Sequence, residues 1–293
     1  MKKINKAVIP AAGFGTRFLP FTKAMPKEML PIVDVPTIEY IIREAMDSGI
    51  NEFLIIINEG KECIKTHFGY NRVLEKFLEE KNKELELSII RELPEKIKVE
   101  FTYQHKQLGL GHAVLCAKEF ANGEPFALLL GDDVYVGREK PATLQIIEAY
   151  EKTGSSILGT LEVPMSDVSK YGICEPLNPN EGSTLIKLKS VVEKPKMEDA
   201  PSNLAIGGRY ILTNEIFDYL ENQTRGAGGE IQLTDSILRL MDKQDVYSLA
   251  IDGRRYDIGS KKGFLEATVD FALSRDDLRD AMIEIIKNKS KEL

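Results

Sequence analysis

Residues 7 to 31 read AVIPAAGFGTRFLPFTKAMPKEMLP: a short apolar stretch, two glycines, then Arg17, Lys23 and Lys27 among four prolines. The segment is too kinked for a helix and too basic for a core, and its chemistry is that of a loop holding an anion. Three ways of holding a phosphate compete for it. A GxxxxGK[ST] loop sets its lysine on the β and γ phosphates and its hydroxyl on Mg²⁺, but Gly13 and Gly15 are not so spaced and no Gly-Lys-Ser/Thr occurs in the chain. A dinucleotide fingerprint needs a small residue where Phe18 stands, and Pro20 would break the helix that should follow. The third design places backbone amides of the glycine turn near a nucleotide and adds cations from the same loop, so that Arg17, Lys23 and Lys27 converge on a triphosphate.

A second chemical feature is LLLGDD at 128–133, an apolar run ending in two aspartates. Asp132 falls just beyond a strand, at the carboxyl edge where open α/β sheets bind ligands. It is the first candidate ligand for a hard Mg²⁺ shared with phosphate oxygens. Asp133 points the other way if the backbone is extended and is read as a turn or cap residue.

The elements that must position these groups follow from hydrophobic patterning. Lys6–Ala12, Phe53–Ile57, Val99–Gln104, Phe126–Leu130 and 155–163 read as strands. Helices are expected at Thr37–Ser48, with Gly49 as its stop, and at 71–86, with Val73, Leu74, Phe77 and Leu78 on one face. Two more are expected at 111–121 and 143–153. Short apolar strands separated by helices imply parallel pairing with both faces covered. After residue 165 the rhythm loosens: YGICEPL, LIKLKSVVEK and LAIGGRYIL read as antiparallel strands, and helices resume at 214–221, 231–243, 261–275 and 277–289. The expectation is an α/β protein with a doubly wound, mostly parallel sheet, a smaller antiparallel β region on the substrate side and C-terminal helices. It is read as one domain over 1–293, divided near 165 and 260.

Composition narrows the partners. In 293 residues, 39 Lys and Arg face 46 Asp and Glu for a net charge of −7, which argues against a nucleic-acid or anionic-membrane surface. Cys63, Cys116 and Cys174 are odd in number, widely spaced and form no CxxC, so neither a zinc site nor a disulfide framework is indicated. No run of 18 apolar residues occurs and the N-terminus lacks a signal peptide's apolar region, making cytoplasm the default expectation.

AAGFGTRFLPFTKAMPKEMLPIVDVPTIEY also resembles the opening signature of the sugar-nucleotide pyrophosphorylases. QHKQLGLGHAV (104–114), LLLGDD (128–133), YGICEP (171–176), VVEKP (191–195), GGRYIL (207–212), GGEIQLTDSI (228–237) and RRYDIGSKKGF (254–264) resemble further segments of that family, in order. In detail they are similar to its bacterial UTP and glucose 1-phosphate branch. The resemblance implies a Rossmann-like nucleotidyltransferase sheet and an in-line displacement, in which a sugar-phosphate oxygen attacks the α-phosphorus of UTP and pyrophosphate leaves. Such a reaction needs cations and positioning more than a proton-transfer base, because the nucleophile is already ionised.

Residue roles come with that resemblance. Amides at Ala12, Gly13 and Gly15 would meet the nucleotide, Arg17 would stabilise departing pyrophosphate and Lys27 would sit near the reacting phosphorus; Lys23 reads equally as a solvated lysine. Asp257 would join Asp132 on Mg²⁺, with helix capping as the alternative. Gln104 and the backbone of Gly109 would read uracil, with Gly111 letting the chain turn close to the ring and His112 structural. Glu193 would accept from glucose hydroxyls, Lys194 would neutralise the 1-phosphate, and Gly172 and Gly208 would offer backbone contacts. Gly207 departs from the bulkier residue usual there, which bears on the shape of the sugar pocket, and a role for Glu230 in glucose binding is plausible. A homodimer or homotetramer is expected, the 277–289 stripe of Leu278, Met282, Ile285 and Ile286 serving either intrachain packing or a subunit contact. Two rivals stand beside this reading: a thymidylyltransferase using dTTP, and a catalytically silent nucleotide-sugar sensor.

Overall fold

The computed structural model describes residues 2–178 and 182–292. The chain opens with β1 (Lys6–Pro10), the glycine loop, a minimal hairpin of β2 (Pro31–Ile32) and β3 (Val35–Pro36), α1 (Thr37–Asp47) and β4 (Glu52–Ile57). Three helices follow, α2 (Glu62–Phe68), α3 (Arg72–Glu80) and α4 (Glu84–Lys96), then β5 (Lys98–Tyr103), α5 (Leu110–Leu115), α6 (Lys118–Ala121) and β6 (Phe126–Leu129). Beyond these lie β7 (Asp133–Gly137), α7 (Ala142–Thr153), β8 (Ser156–Glu162), β9 (Gly172–Pro176), β10 (Leu185–Glu193) and β11 (Leu204–Leu212). The remainder is α8 (Ile216–Glu221), α9 (Leu233–Leu240), β12 (Val246–Ala250), β13 (Gly253–Asp257), α10 (Lys261–Ser274) and α11 (Arg279–Ser290).

Among the described residues nine strands form one mixed sheet in the order β5-β4-β1-β6-β11-β8-β12-β10-β9. β5, β4, β1 and β6 run parallel, as expected of apolar strands linked by helices. β11 enters antiparallel between β6 and β8, and β10 lies antiparallel to β12 and β9. The antiparallel strands expected after residue 165 therefore continue the same sheet. Side chains of β1 alternate between its two faces: Ala7 and Ile9 pack in the core beneath α1 and α7, Val8 in the core beneath α5, α8 and α9.

β7 and β13 form a separate antiparallel ribbon whose register sets Asp257 opposite Asp133, next to Asp132. This ribbon and β12 were absent from the sequence reading. Both strands are five residues long, β13 (GRRYD) is largely polar, and the two partners are more than a hundred residues apart. The single helix expected over 71–86 is instead a hairpin of α3 and α4, broken at Asn82 with φ 53°, a conformation asparagine tolerates. Of its expected face only Leu78 is buried, while Val73 is 84% exposed, because the hairpin projects from the sheet. At the other end, α11 packs on α10 with Ile285 and Ile286 exposed. Among the described residues no helix is long and apolar enough to cross a membrane.

Candidate active site

The glycine loop leaves β1 in three single turns, at 16–18, 21–23 and 27–29, as the prolines require. Gly15 has φ 64° and leaves only 3.1 to 3.2 Å for a Cβ against Thr22 and Lys27, while Thr22 Oγ1 donates to the Gly15 carbonyl at 2.8 Å. A residue other than glycine would be strained there. Phe18, too large for a dinucleotide fold, is buried edge-to-face on Phe264 of α10, ring centres 6.1 Å apart. It anchors the loop to the helix that follows Asp257.

These elements converge on a cleft of about 300 Å³ lined by Arg17, Asp132 and Asp257 at one end and by Gly172, Glu193 and Lys194 at the other. Lys27 Nζ meets Asp132 Oδ2 at 2.5 Å. Burial alone would lower the lysine's pKa, but Asp132 and Glu28 outweigh it and hold Lys27 above the ordinary lysine value. Burial likewise works against the Asp132 carboxylate, and Lys27 and Arg17 hold its pKa below the usual range. A Cβ added at Gly259 would lie 2.5 Å from Asp132 Oδ2 and 2.9 Å from Asp257 Oδ1, with Arg17 Nη2 at 3.5 Å. Two carboxylate oxygens thus face one small space that glycine keeps clear, a donor set suited to Mg²⁺ completed by phosphate oxygens. Among the described residues no group of three or more His, Cys, Asp or Glu forms a closed metal cage.

At the other end Glu193 is fixed from two sides. Thr234 Oγ1, at the start of α9, donates to Glu193 Oε2 at 2.7 Å, and Lys194 Nζ lies 3.2 Å from Oε1. Lys194 adopts φ 44°, an uncommon conformation for lysine, and its amide donates to the Tyr171 carbonyl at 2.9 Å. At Gly172 a Cβ would crowd Thr234 and Ile206 at 3.0 Å. Gly207 answers the question of pocket shape: the volume of its missing side chain is filled by Tyr135, whose hydroxyl donates to the Gly207 carbonyl at 2.6 Å. Gly208, φ 75°, has its Cβ position taken by the Asp133 carboxylate, so Asp133 is a buried charge rather than a cap.

Several residues that shape the site escaped the sequence reading. Arg255 lines the cleft and forms an ion pair with Asp133 at 2.5 Å. Burial lifts the Asp133 carboxyl to about 6 despite Arg255. Arg209 is wholly buried and makes a bidentate pair with Glu44 of α1 (3.1 and 2.7 Å), while its Nη2 donates to the Asp133 carbonyl at 2.8 Å. That contact pins the start of β7, and with it the turn carrying Asp132. RRYDIG and GGRYIL each display their arginine, but neither segment names the distant carboxylate that it meets.

Gln104 is buried, and its amide nitrogen donates to the Gly109 carbonyl at 3.1 Å and approaches His112 Nδ1 at 3.0 Å. The carbonyl partner fixes which end of the amide is nitrogen. In this conformation the amide hydrogens are engaged inside the protein, so the donor half of its expected base contact is taken. Gly109 (φ 102°) and Gly111 press on Ile231, where a Cβ would come within 2.8 and 2.7 Å of its carbonyl. Chain packing against Ile231 therefore requires glycine at 111. Glu230 accepts from Gln232 Nε2 at 3.1 Å just before α9. Ala12 is buried, and Gly13, Lys23 and Glu230 are exposed.

Residues 6–273 match the family described as nucleotidyl transferase. The chain is 50% identical over 98% of its length to the UTP–glucose-1-phosphate uridylyltransferase of Bacillus subtilis, covering 97% of that protein. A UTP-bound UGPase from Acinetobacter baumannii superposes with a TM-score of 0.89 at 39% identity, over 97% of this chain and 98% of that one. A UDP-glucose pyrophosphorylase complexed with UDP-glucose gives 0.84 at 39% identity, over 93% and 100%. With these matches spanning nearly its whole length, the chain belongs to the nucleotidyl transferase family, in the branch of the UTP–glucose-1-phosphate uridylyltransferases.

Proposed function

We propose that the protein forms UDP-glucose and pyrophosphate from UTP and glucose 1-phosphate. The observation that carries this reading is the single cleft with Arg17, Asp132 and Asp257 at one end and Glu193 and Lys194 at the other. A triphosphate and a sugar phosphate can meet there with cations at both ends. A phosphate oxygen of glucose 1-phosphate forms the new bond to the α-phosphorus as the bond to the bridging β-phosphate oxygen breaks, and the electron pair leaves with pyrophosphate. Arg17 takes up charge on the leaving group and Lys27 stands beside the reacting phosphate. Lys194 neutralises the sugar's phosphate while Glu193 accepts from hexose hydroxyls.

Asp132 and Asp257 would hold Mg²⁺, which when bound supplies neutralisation of phosphate charge. Amides of Ala12, Gly13 and Gly15 approach the nucleotide. Gln104 reads the base through its carbonyl oxygen, leaving the donor role to the Gly109 amide; Gly172 and Gly208 shape the sugar side. Residues 1–165 supply the nucleotide side of one domain, 166–260 the sugar side and 261–293 the helical tail. The surroundings we infer are cytoplasmic, with a homodimer or homotetramer as the assembly and neither nucleic acid nor membrane as a partner; light scattering tests the assembly, and a monomeric mass contradicts it.

Pyrophosphate release with glucose 1-phosphate and Mg²⁺, compared across UTP, dTTP, ATP, CTP and GTP, tests the reaction. Release with UTP, abolished by EDTA, is the expected result. Faster turnover with dTTP would transfer the protein to the thymidylyl branch, and no release from folded protein would favour a silent sensor.

A further inference from the structure

Beneath the glycine loop lies a buried ion pair that the reaction above does not use. Lys61, at the start of α2, points its ammonium inward and donates to Glu28 Oε2 at 2.8 Å and to the Ala11 carbonyl at 2.5 Å. Both side chains are nearly sealed from solvent, 7% exposed for Lys61 and 1% for Glu28. Their partners occupy three strategic points. Ala11 immediately precedes the amides of Ala12 and Gly13, and its own N–H is already bonded to Ile56 of β4 at 2.8 Å. Glu28 immediately follows Lys27. The Glu28 side chain also lies under Gly131, where an added Cβ would sit 3.2 Å from Glu28 Cγ, directly before Asp132. One ammonium therefore ties the entry of the loop to its exit, and the Glu28 side chain that it holds lies beneath the turn carrying Asp132.

We propose that the Lys61–Glu28 pair is a positioning clamp for the nucleotide end of the reaction, fixing Lys27 and the Ala12–Gly13 amides in register with Asp132. The inference rests on the reading of the cleft as a UTP site. Both side chains are sealed from solvent and touch each other and the Ala11 carbonyl, which makes them positioning residues. Removing two charges from water is expensive, and a well-packed apolar pair would hold the fold as firmly. A buried pair whose ammonium also takes a backbone carbonyl at the loop's entry adds directional constraint that apolar packing lacks. Burial pushes the Glu28 carboxyl up and the Lys61 ammonium down, the direction expected of a pair sealed from solvent.

The test separates positioning from stability. Lys61→Met alone strands a buried carboxylate and is expected to lower Tm and activity together. The informative protein is the double variant Lys61→Met/Glu28→Met, which removes both charges at similar volume. Its Tm is expected to recover toward that of the unaltered protein, while kcat/KM for UTP stays down by about 10- to 100-fold, the penalty of a misplaced reacting group. KM for glucose 1-phosphate, measured at saturating UTP, should stay within about twofold, because the sugar's contacts come from other segments. Lys61→Arg, which keeps the charge and the donor, should recover part of the UTP term. A double variant with an unaltered kcat/KM for UTP would reduce the pair to a structural one, as would equal losses toward both substrates. Should the double variant not fold, the Lys61→Arg protein decides by the same split between substrates. Calorimetric binding of UTP is read alongside. Weakened UTP binding in the variant supports the clamp even if the unaltered protein releases no pyrophosphate, a result that would instead sink the proposed reaction.

Discussion

At the nucleotide end of the cleft, Lys27 is gripped at 2.5 Å by Asp132, 105 residues away in sequence, and Lys61 is buried against Glu28 at 2.8 Å. At the sugar end Glu193 and Lys194 are chain neighbours 3.2 Å apart, and Lys194 keeps 49% of its side chain exposed. The first arrangement fixes charge in place before any ligand arrives, which suits stabilising charge that develops on a leaving group. The second leaves a cation free to adjust, while Thr234 holds the neighbouring carboxylate still. Under the proposed function, the first end serves the bond being broken and the second chooses what is joined.

That contrast can be broken by substitution. The largest effect is expected at the fixed end: Asp132→Ala should lower kcat on the order of 10³-fold or more, as losing a ligand of phosphate-bound metal implies. Added Mg²⁺ should not restore it, with steady-state pyrophosphate release as the measurement. At the adjustable end, Lys194→Ala should lower kcat/KM for glucose 1-phosphate by about 100-fold, the scale of a lost charge-assisted hydrogen bond, with KM for UTP unchanged. A matching rise in the KM for UTP would erase the division between the ends. Thr234→Val frees the Glu193 carboxylate and should raise KM for glucose 1-phosphate about tenfold, with Thr234→Ser restoring it; equal defects in the two variants would point to packing instead. The smallest effect is expected at Lys23, exposed and outside the cleft's lining, where Lys23→Ala should change kcat/KM by less than about twofold, as is usual for a surface substitution.

The two ends were also unequally legible in the sequence. The glycine loop could be read because its constraints are local: prolines forbid a helix, Gly15 needs its left-handed turn, and three cations crowd eleven residues. The parallel strands were equally plain, since burial on both faces makes them continuous apolar runs, and Gly49 stopped α1 as its position implied. What stayed hidden depends on distant partners. DVYVG and GRRYD do not look like a pair, yet their register brings Asp257 beside Asp132. Arg209, Arg255, Glu28 and Lys61 resemble surface charges until the fold buries each against its partner. Periodicity misled over 71–86, where an apolar stripe marks a hairpin with most of that stripe exposed. Gln104 was recognised by its neighbours, but its hydrogen bonds to Gly109 and His112 depend on how the 104–112 turn closes.

The division of labour between the two ends is tested most directly by calorimetric titration of UTP, without sugar, into Arg17→Ala and Lys194→Ala. Arg17→Ala is expected to lose at least about tenfold in affinity, the value of one charged phosphate contact, while Lys194→Ala binds UTP as the unaltered protein does. Equal losses in both variants would contradict it, because the cleft would then be one undivided cationic pocket.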